Sequence, residues 1–173
     1  MIKIALIIVV AVIVVLFFVI AALLPRNHTA SVSRVVRGNP ASVYAMVRNA
    51  AAAPEWRKDV QKVEILDATH FREHAKYGTV TYEIVEDQPG QRYVTRIADK
   101  NLGYGGTWTY AFAPDATGTR VTITENGEVS NLLFRFLSRF VFGYTSNMDG
   151  VLAALAAKCD TAPPPSEGPS PAQ

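Results

Sequence analysis

Glu125 is the residue of this sequence best placed to do chemistry. It continues the alternation of Val121 and Ile123, so in a strand its carboxyl group would face the same side as their side chains. A carboxyl group buried among apolar side chains must be paired or protonated. Paired, it would orient a polar ligand group or fix a helix to the sheet; protonated, it would be a candidate for acid–base catalysis.

Arginines and tyrosines are the groups that could act together with Glu125. Arg96, Arg135 and Arg139 are the candidate ion-pair partners. Tyr82 and Tyr110 could join Glu125 in an acid–base pair for cyclisation or dehydration, but only if the fold brings them together.

The histidines do not predict a metal site. His70 and His74 are four residues apart, but they flank a predicted turn into a strand, where four residues span about 13 Å. That distance is too large for two ligands of one ion. The chain has one cysteine, Cys159, and no nucleophile-elbow, Walker or dinucleotide-binding pattern, so we expect no metal and no cofactor. His28 is expected at a membrane interface.

A series of apolar side chains predicts either a ligand pocket or a filled core. Aromatic walls with a few polar groups are typical of pockets for apolar ligands. With Glu125 and Arg96, the predicted ligand-binding residues are Tyr82, Trp108, Tyr110, Phe112, Ile123, Phe136, Phe140, Met148 and Leu152.

The elements that must position these residues predict one α+β domain over residues 26–160. A first strand is followed by Asn39 and Pro40, a helix N-cap and a first helical residue, and a second short helix lies around Pro54. Residues 101–106 are predicted as a glycine-rich loop. The segment 131–158 is predicted to cover one face of an antiparallel sheet, with a break near Gly143. The predicted strands are 29–37, 60–66, 73–77, 79–86, 92–99, 107–113 and 120–129.

The first 25 residues predict a membrane anchor. Residues 4–24 contain no charge, no hydrogen-bonding side chain, no Gly and no Pro, and about 20 such residues cross a bilayer as a helix. A cleaved signal peptide and a buried core helix are the alternatives. Arg26, Arg34 and Arg37 favour keeping the domain inside the cell, whereas Lys3 on a very short N-terminus favours translocation of the domain. We expect a single-pass protein of a bacterial inner membrane with the domain in the periplasm.

Charge and composition restrict the remaining possibilities. The chain has 17 basic and 15 acidic residues, interspersed and without the basic stripe that nucleic-acid binding requires, so no nucleic-acid partner is expected. Residues 161–173 hold half of the 10 prolines and are predicted to be disordered.

Several short motifs, in this order, resemble those of the START/polyketide-cyclase superfamily, also called SRPBCC or helix-grip proteins. The resemblance spans residues 29–158. It implies a strongly curved antiparallel sheet that grips a long C-terminal helix, with a cavity between them that in relatives holds lipids, sterols, polyketides or other apolar molecules. The motifs are Asn39-Pro40-Ala41-Ser42-Val43-Tyr44, Pro54-x-Trp56, Val60-x-x-Val63-Glu64, Gly106-Thr107-Trp108-Thr109-Tyr110, Gly118-Thr119-Arg120-Val121-Thr122 and the run 124–144.

Three hypotheses for function follow. The first is a membrane-tethered domain that binds or carries a hydrophobic, lipid-like molecule. The second is an enzyme resembling a cyclase or dehydratase that uses a cavity carboxylate. The third is a non-catalytic interaction module of the cell envelope with a solid core, and the sequence identifies no protein partner for it.

Overall fold

One antiparallel sheet and a C-terminal helix form the body of the protein. The structure, a computed structural model, describes residues 2–76 and 78–161, with the backbone alone for Phe142. The helices are α1 (Ile2–Leu23), α2 (Pro40–Arg48), α3 (Leu132–Leu137) and α4 (Ser146–Thr161), with a 3-10 helix at Ala50–Glu55 and a π-helical turn at Ser138–Phe142. The strands are β1 (Asn27–Val36), β2 (Val60–Ile65), β3 (His70–Ala75), β4 (Gly78–Gln88), β5 (Arg92–Ile97), β6 (Tyr104–Asp115) and β7 (Gly118–Val129).

All seven strands pair in one curved sheet, in the order β1-β7-β6-β5-β4-β3-β2. Every neighbouring pair is antiparallel, so the first and last strands in sequence lie side by side. This confirms the predicted α+β fold with a helix-gripping sheet. The helix start at Asn39 is confirmed as well, because its side chain accepts a hydrogen bond from the Ser42 amide at 2.9 Å.

Two predicted strand limits are wrong. The supposed loop 101–106 ends in strand, because Gly106 has no side chain and its backbone can approach Asn126 and Gly127 of β7 closely. Strand β3 begins at His70 rather than Glu73. The Asp67 carboxylate accepts hydrogen bonds from the backbone amides of Thr69 and His70, and this turn directs the chain into the sheet. Of the predicted proline-rich tail, Thr161 belongs to α4 and the rest lies outside the described residues.

The hydrophobic core lies at one end of the domain, where α4 packs against the concave face of the sheet. Ile123 and Met148 are completely buried there, and Leu152 and Val43 nearly so. This is the packed end, toward the turn between β6 and β7. The opposite end, where β1 and β6 begin and β7 finishes, is the open end.

Residues 131–142 do not cover the sheet as predicted. They pack beside α1: the rings of Phe17 and Phe136 have centroids 4.8 Å apart. Arg135, 4% exposed, donates hydrogen bonds to the carbonyls of Ala21 and Leu24 at 3.3 and 3.1 Å. These are orphan acceptors at the C-terminal end of α1, where a cation also complements the helix dipole. Arg135 also donates to Val129 and Ser130, which ties α1 to the end of β7.

Candidate functional site

A cavity of about 630 Å³ lies in the open half of the domain, between the concave face of the sheet and the helical segments. Its floor is formed by inward-facing residues of β3 to β7, because alternate residues of each strand face the same side. Trp56 and the 3-10 helix bound it on one side. Ser138 and Tyr144, between α3 and α4, and Asn147, in the first turn of α4, bound it on the other.

The middle of the floor is aromatic. Phe71 stacks on Tyr82 at 5.3 Å, and Tyr110 has ring neighbours in Tyr93 and Trp108 at 6.0 and 6.2 Å. Burial raises the pKa values of all three tyrosines, Tyr82, Tyr93 and Tyr110, so their hydroxyl groups stay neutral near pH 7. The floor therefore offers apolar faces and neutral hydroxyl groups to a ligand.

The first polar group of the wall is His28 with Glu125, on neighbouring strands. His28 Nε2 lies 3.5 Å from Glu125 Oε1, and the imidazole stacks on the Tyr144 ring at 4.0 Å. The imidazole lies against Gly127, where an added Cβ would overlap it. Burial raises the pKa of Glu125, while His28 and a hydrogen bond from the Trp108 indole oppose this rise. Glu125 is therefore a carboxyl group on the cavity wall whose pKa lies above the ordinary value.

The second polar group is Arg57 with two carboxylates, on the far side of the floor. Arg57 Nη1 donates to Glu73 at 2.9 Å, and Nη2 donates to Asp59 at 2.7 Å. Burial opposes the charge of Arg57, but the two carboxylates outweigh it and its pKa rises. Burial raises the pKa of Glu73, against the effect of Arg57. Strands β4, β5 and β6 separate Glu73 from Glu125, so the two polar groups stand at opposite sides of the aromatic floor.

The predicted ligand-binding residues fall into three sets. Tyr82, Trp108, Tyr110 and Glu125 line the cavity together. Phe112, Ile123, Met148 and Leu152 are buried in the core of the packed end instead, because the same alternation continues past the cavity into side chains that meet α4.

Arg96, Phe136 and Phe140 lie outside the cavity. Arg96 sits opposite Glu83 across β4 and β5 and pairs with it at 2.6 Å, whereas Tyr93, Thr95 and Ile97 of the same strand face inward. Phe136 contacts Phe17 of α1, and Phe140 is 58% exposed. Of the three predicted partners of Glu125, Arg96 pairs with Glu83, Arg135 binds backbone carbonyls and Arg139 is exposed. The side chain that stands beside Glu125 is His28.

Sequence reasoning missed His28, Arg57, Glu73 and Tyr144. The signal for His28 was present, since extending the β1 alternation back from Val32 through Ala30 brings His28 to the inner face rather than to an interface. Glu73 could have been found in the same way, between Phe71 and Ala75. No local pattern marks Arg57 or Tyr144, which reach the cavity from irregular segments.

The described residues contain no group of three or more His, Cys, Asp or Glu side chains that could hold a metal ion. His70 instead contacts the Asp67 carboxylate at 3.0 Å, and His74 Nε2 lies 3.4 Å from Glu64. The positions of both histidines are therefore explained by contacts with nearby carboxylates.

The chain is similar to one family over almost all of the domain. The family model described as "Polyketide cyclase / dehydrase and lipid transport" matches residues 27–160. No curated protein matches the sequence.

Solved structures share the fold at low sequence identity. A START superfamily protein from Mycobacterium smegmatis is 13% identical with a TM-score of 0.63, covering 77% of this chain and 97% of that one. The di-domain ARO/CYC StfQ from the steffimycin biosynthetic pathway is 18% identical with a TM-score of 0.63, covering 78% of this chain and 51% of that one. The Zhui aromatase/cyclase from a Streptomyces species is 12% identical with a TM-score of 0.63, covering 78% of this chain and 94% of that one. At these identities the likeness establishes the fold and leaves the activity to the residues of the cavity.

Proposed function

The chain belongs to the polyketide cyclase / dehydrase and lipid transport family, and from that premise we propose that it binds or transports a hydrophobic, lipid-like small molecule while tethered to a membrane. The observation that carries the proposal is the cavity of about 630 Å³ with an aromatic floor. Pockets for small molecules are concave, mostly apolar and about 300–1,000 Å³ in volume, with a few polar groups that fix orientation.

The arrangement of the wall favours a ligand with an apolar body and polar substituents. The rings of Trp108, Tyr110 and Tyr82 would contact the body. The His28–Glu125 and Arg57–Glu73 groups could each hydrogen-bond a hydroxyl or carbonyl group. Because desolvating charged groups is costly, the ligand would have to satisfy those it covers.

The tether is α1, the one helix in the described part of the chain that is long and apolar enough to cross a bilayer. Its 22 residues give about 33 Å of helix, against a hydrocarbon core of about 30 Å. Most of its large side chains are exposed, which argues against a core helix. Its last turn is built into the domain through Ala21 and the Arg135 hydrogen bonds, which favours a retained anchor over a cleaved signal. In this proposal the membrane is a bacterial inner membrane and the domain lies in the periplasm.

A matched pair of substitutions on β4 tests the binding proposal. Val80→Trp places an indole into the cavity, whereas Val85→Trp places the same group at an exposed position of the same strand. The full chain and both variants would be purified in the same mild detergent, and organic extracts compared by mass spectrometry. We expect a specific compound in the wild type and in Val85→Trp, reduced several-fold in Val80→Trp. Lipid that merely surrounds α1 would be equal in all three.

Two results would count against ligand binding. Extracts of wild type and Val80→Trp that hold the same membrane lipids and no specific compound would show that nothing occupies the cavity. Equal amounts of a specific compound in both would place its binding site elsewhere. Thermal unfolding of Val80→Trp, followed by circular dichroism, verifies that the variant is folded.

An enzyme that resembles a cyclase or dehydratase is the second candidate, favoured by Glu125 itself. Its carboxyl group has a raised pKa, a histidine at 3.5 Å and a place on the cavity wall, as a general acid or base requires. If the protein is an enzyme, Glu125→Gln should retain a bound precursor that differs from the wild-type compound by one water molecule or one ring closure. Identical compounds in both would favour binding without catalysis. The third hypothesis, an interaction module with a solid core, is disfavoured by the hollow interior.

A further inference from the structure

We propose that residues 132–142, hereafter the interfacial segment, lie in the bilayer interface beside α1, so that the cavity opens toward the leaflet that holds the C-terminal end of α1. The occupant of this apolar face is therefore the lipid bilayer itself. The inference rests on the membrane anchoring proposed above and extends it to a second element that contacts the membrane.

The depth of the segment follows from its contact with α1. Phe17 lies six residues before the end of α1 at Leu23, about 9 Å along the helix axis at about 1.5 Å per residue. Phe136 meets the Phe17 ring at 4.8 Å, so it lies at about the same depth. Helices that lie in the interface bury their apolar face about 5–10 Å into the boundary between headgroups and acyl chains. A span that includes Phe17 therefore carries Phe136 into this boundary.

The side chains of the segment suit lipid rather than water. Of the eight large apolar side chains that are exposed in the described residues after α1, four lie within residues 132–142. A fifth, Tyr104, has its ring 6.2 Å from that of Phe134. Contiguous exposed apolar surface of this kind marks a contact with protein or membrane. Because this apolar surface is continuous with α1, we assign the contact to the membrane. The four are Leu133, Phe134, Phe140 and Val141.

Hydrogen bonds hold the segment at this height. Arg135 joins α3 to the last carbonyls of α1 and to the end of β7, and the Val129 amide donates to the Arg26 carbonyl at 2.8 Å. Arg26, three residues after α1, and Arg139, within the segment, are exposed, and long basic side chains near a bilayer can reach lipid phosphates. The segment cannot leave the interface without breaking the Arg135 contacts.

The same segment also reaches the wall of the cavity through one residue. Ser138 lines the cavity two residues before Phe140, and Gly143, Tyr144 and Asn147 continue the wall. Gly143 and Asn147 are exposed, as are Tyr104 and Glu128 on the facing strands, so the cavity meets its surroundings here. An apolar molecule could therefore move from the leaflet past this segment into the cavity without first crossing bulk water.

Fluorescence quenching at defined depth tests the proposal on the full chain. In a Cys159→Ala background, single cysteines at Phe140, Ala116 and Val14 would each carry the fluorophore NBD. Ala116 lies in the β6–β7 turn, about 40 Å along β6 from Tyr104, and Val14 lies within α1. The protein would be placed in nanodiscs of phosphatidylcholine with and without a spin label near the top of the acyl chain. We expect several-fold quenching and a blue shift at position 140, and almost none at position 116.

The controls separate failure of this inference from failure of the anchoring. Emission at position 140 that matches position 116, with label at Val14 shielded from aqueous iodide, overturns the interfacial position while the anchor stands. Exposure of the Val14 label to iodide overturns the anchoring and this inference with it. Val141→Cys, at a 62% exposed position, replaces Phe140→Cys if that variant does not fold.

Discussion

The packed end and the open end of the domain are built from the same kinds of residue but differ in what their apolar side chains contact. At the packed end, Ile123, Met148 and Leu155 are wholly buried by one another and by the strands. At the open end, Trp108 and Tyr82 face a cavity, while Phe140 and Val141 face outward next to α1. Apolar character alone therefore does not determine whether a side chain packs in the core, lines a cavity or stays exposed.

The difference has a physical origin in the two halves of the C-terminal segment. In α4, four apolar residues repeat at helical spacing and pack against the sheet: Met148, Val151, Leu152 and Leu155. Residues 132–142 leave apolar side chains such as Phe140 and Val141 exposed, and Arg135 attaches this segment to α1. An apolar stripe that packs against a sheet completes a core, whereas exposed apolar side chains beside an apolar helix mark a contact with protein or membrane.

Truncation of a core side chain at the packed end has the largest expected effect. Leu152→Ala should cost about 2–5 kcal/mol of unfolding free energy, because it leaves a cavity in a close-packed site. Thermal unfolding followed by circular dichroism would then shift by roughly 10 °C. Phe140→Ala is the control at the open end, where the side chain is exposed and a change below about 0.5 kcal/mol is expected. Equal losses in the two variants would contradict the division into two ends.

Removal of the Arg135 guanidinium should have the next largest effect. Arg135→Met keeps much of the volume but leaves four backbone carbonyls without this donor, which should cost about 2 kcal/mol. Hydrogen exchange should accelerate in the last turn of α1 and at the end of β7. Arg139→Met is the matched control, since Arg139 is exposed. Unchanged exchange in Arg135→Met would show that α1 and the domain are joined by packing alone.

Replacement of the cavity carboxyl group should have the smallest effect, and one that depends on pH. Burial raises the pKa of Glu125 above its ordinary value of 4.5, so the folded state loses stability as the pH rises through the folded pKa. Glu125→Gln should therefore be more stable than wild type at pH 7, and this gain should shrink as the pH falls to 4.5 and below. Paired denaturant titrations across this range measure it.

A loss of stability in Glu125→Gln at pH 7 would mean that the contact with His28 stabilises the charged carboxylate by more than burial destabilises it. Glu83→Gln is the control, because its pairing with Arg96 is exposed. Exposed ion pairs contribute less than about 1 kcal/mol, so the control should change little.

Much of the fold was predictable because it depends on local rules. Asn39 and Pro40 start α2, strand alternation fixes which residues of β6 share a face, and Gly143, with its positive φ, ends the π-helical turn. These features follow from backbone geometry within a few residues. The early start of β6 was missed because Gly105 and Gly106 are usual in loops, and only their pairing with β7 makes them strand.

The candidate site was predictable only where strand alternation reaches it. Tyr82, Trp108, Tyr110 and Glu125 line the cavity as the alternation indicates, but Phe112 and Ile123 obey the same rule and are filled core. What separates these sets is the position of α4 along the strands, which is a tertiary property. The apolar residues Phe136 and Phe140 were assigned to the interior because no local signal distinguishes a core helix from one that accompanies α1.

The connection between α1 and β1 limits how far the domain can travel. Only residues 24–26 separate the two elements, and three extended residues reach about 10 Å. A shuttle between two bilayers would need a tether many times longer. With α1 in a membrane, the domain stays at that surface, and any cargo must be handed to an acceptor that comes to it.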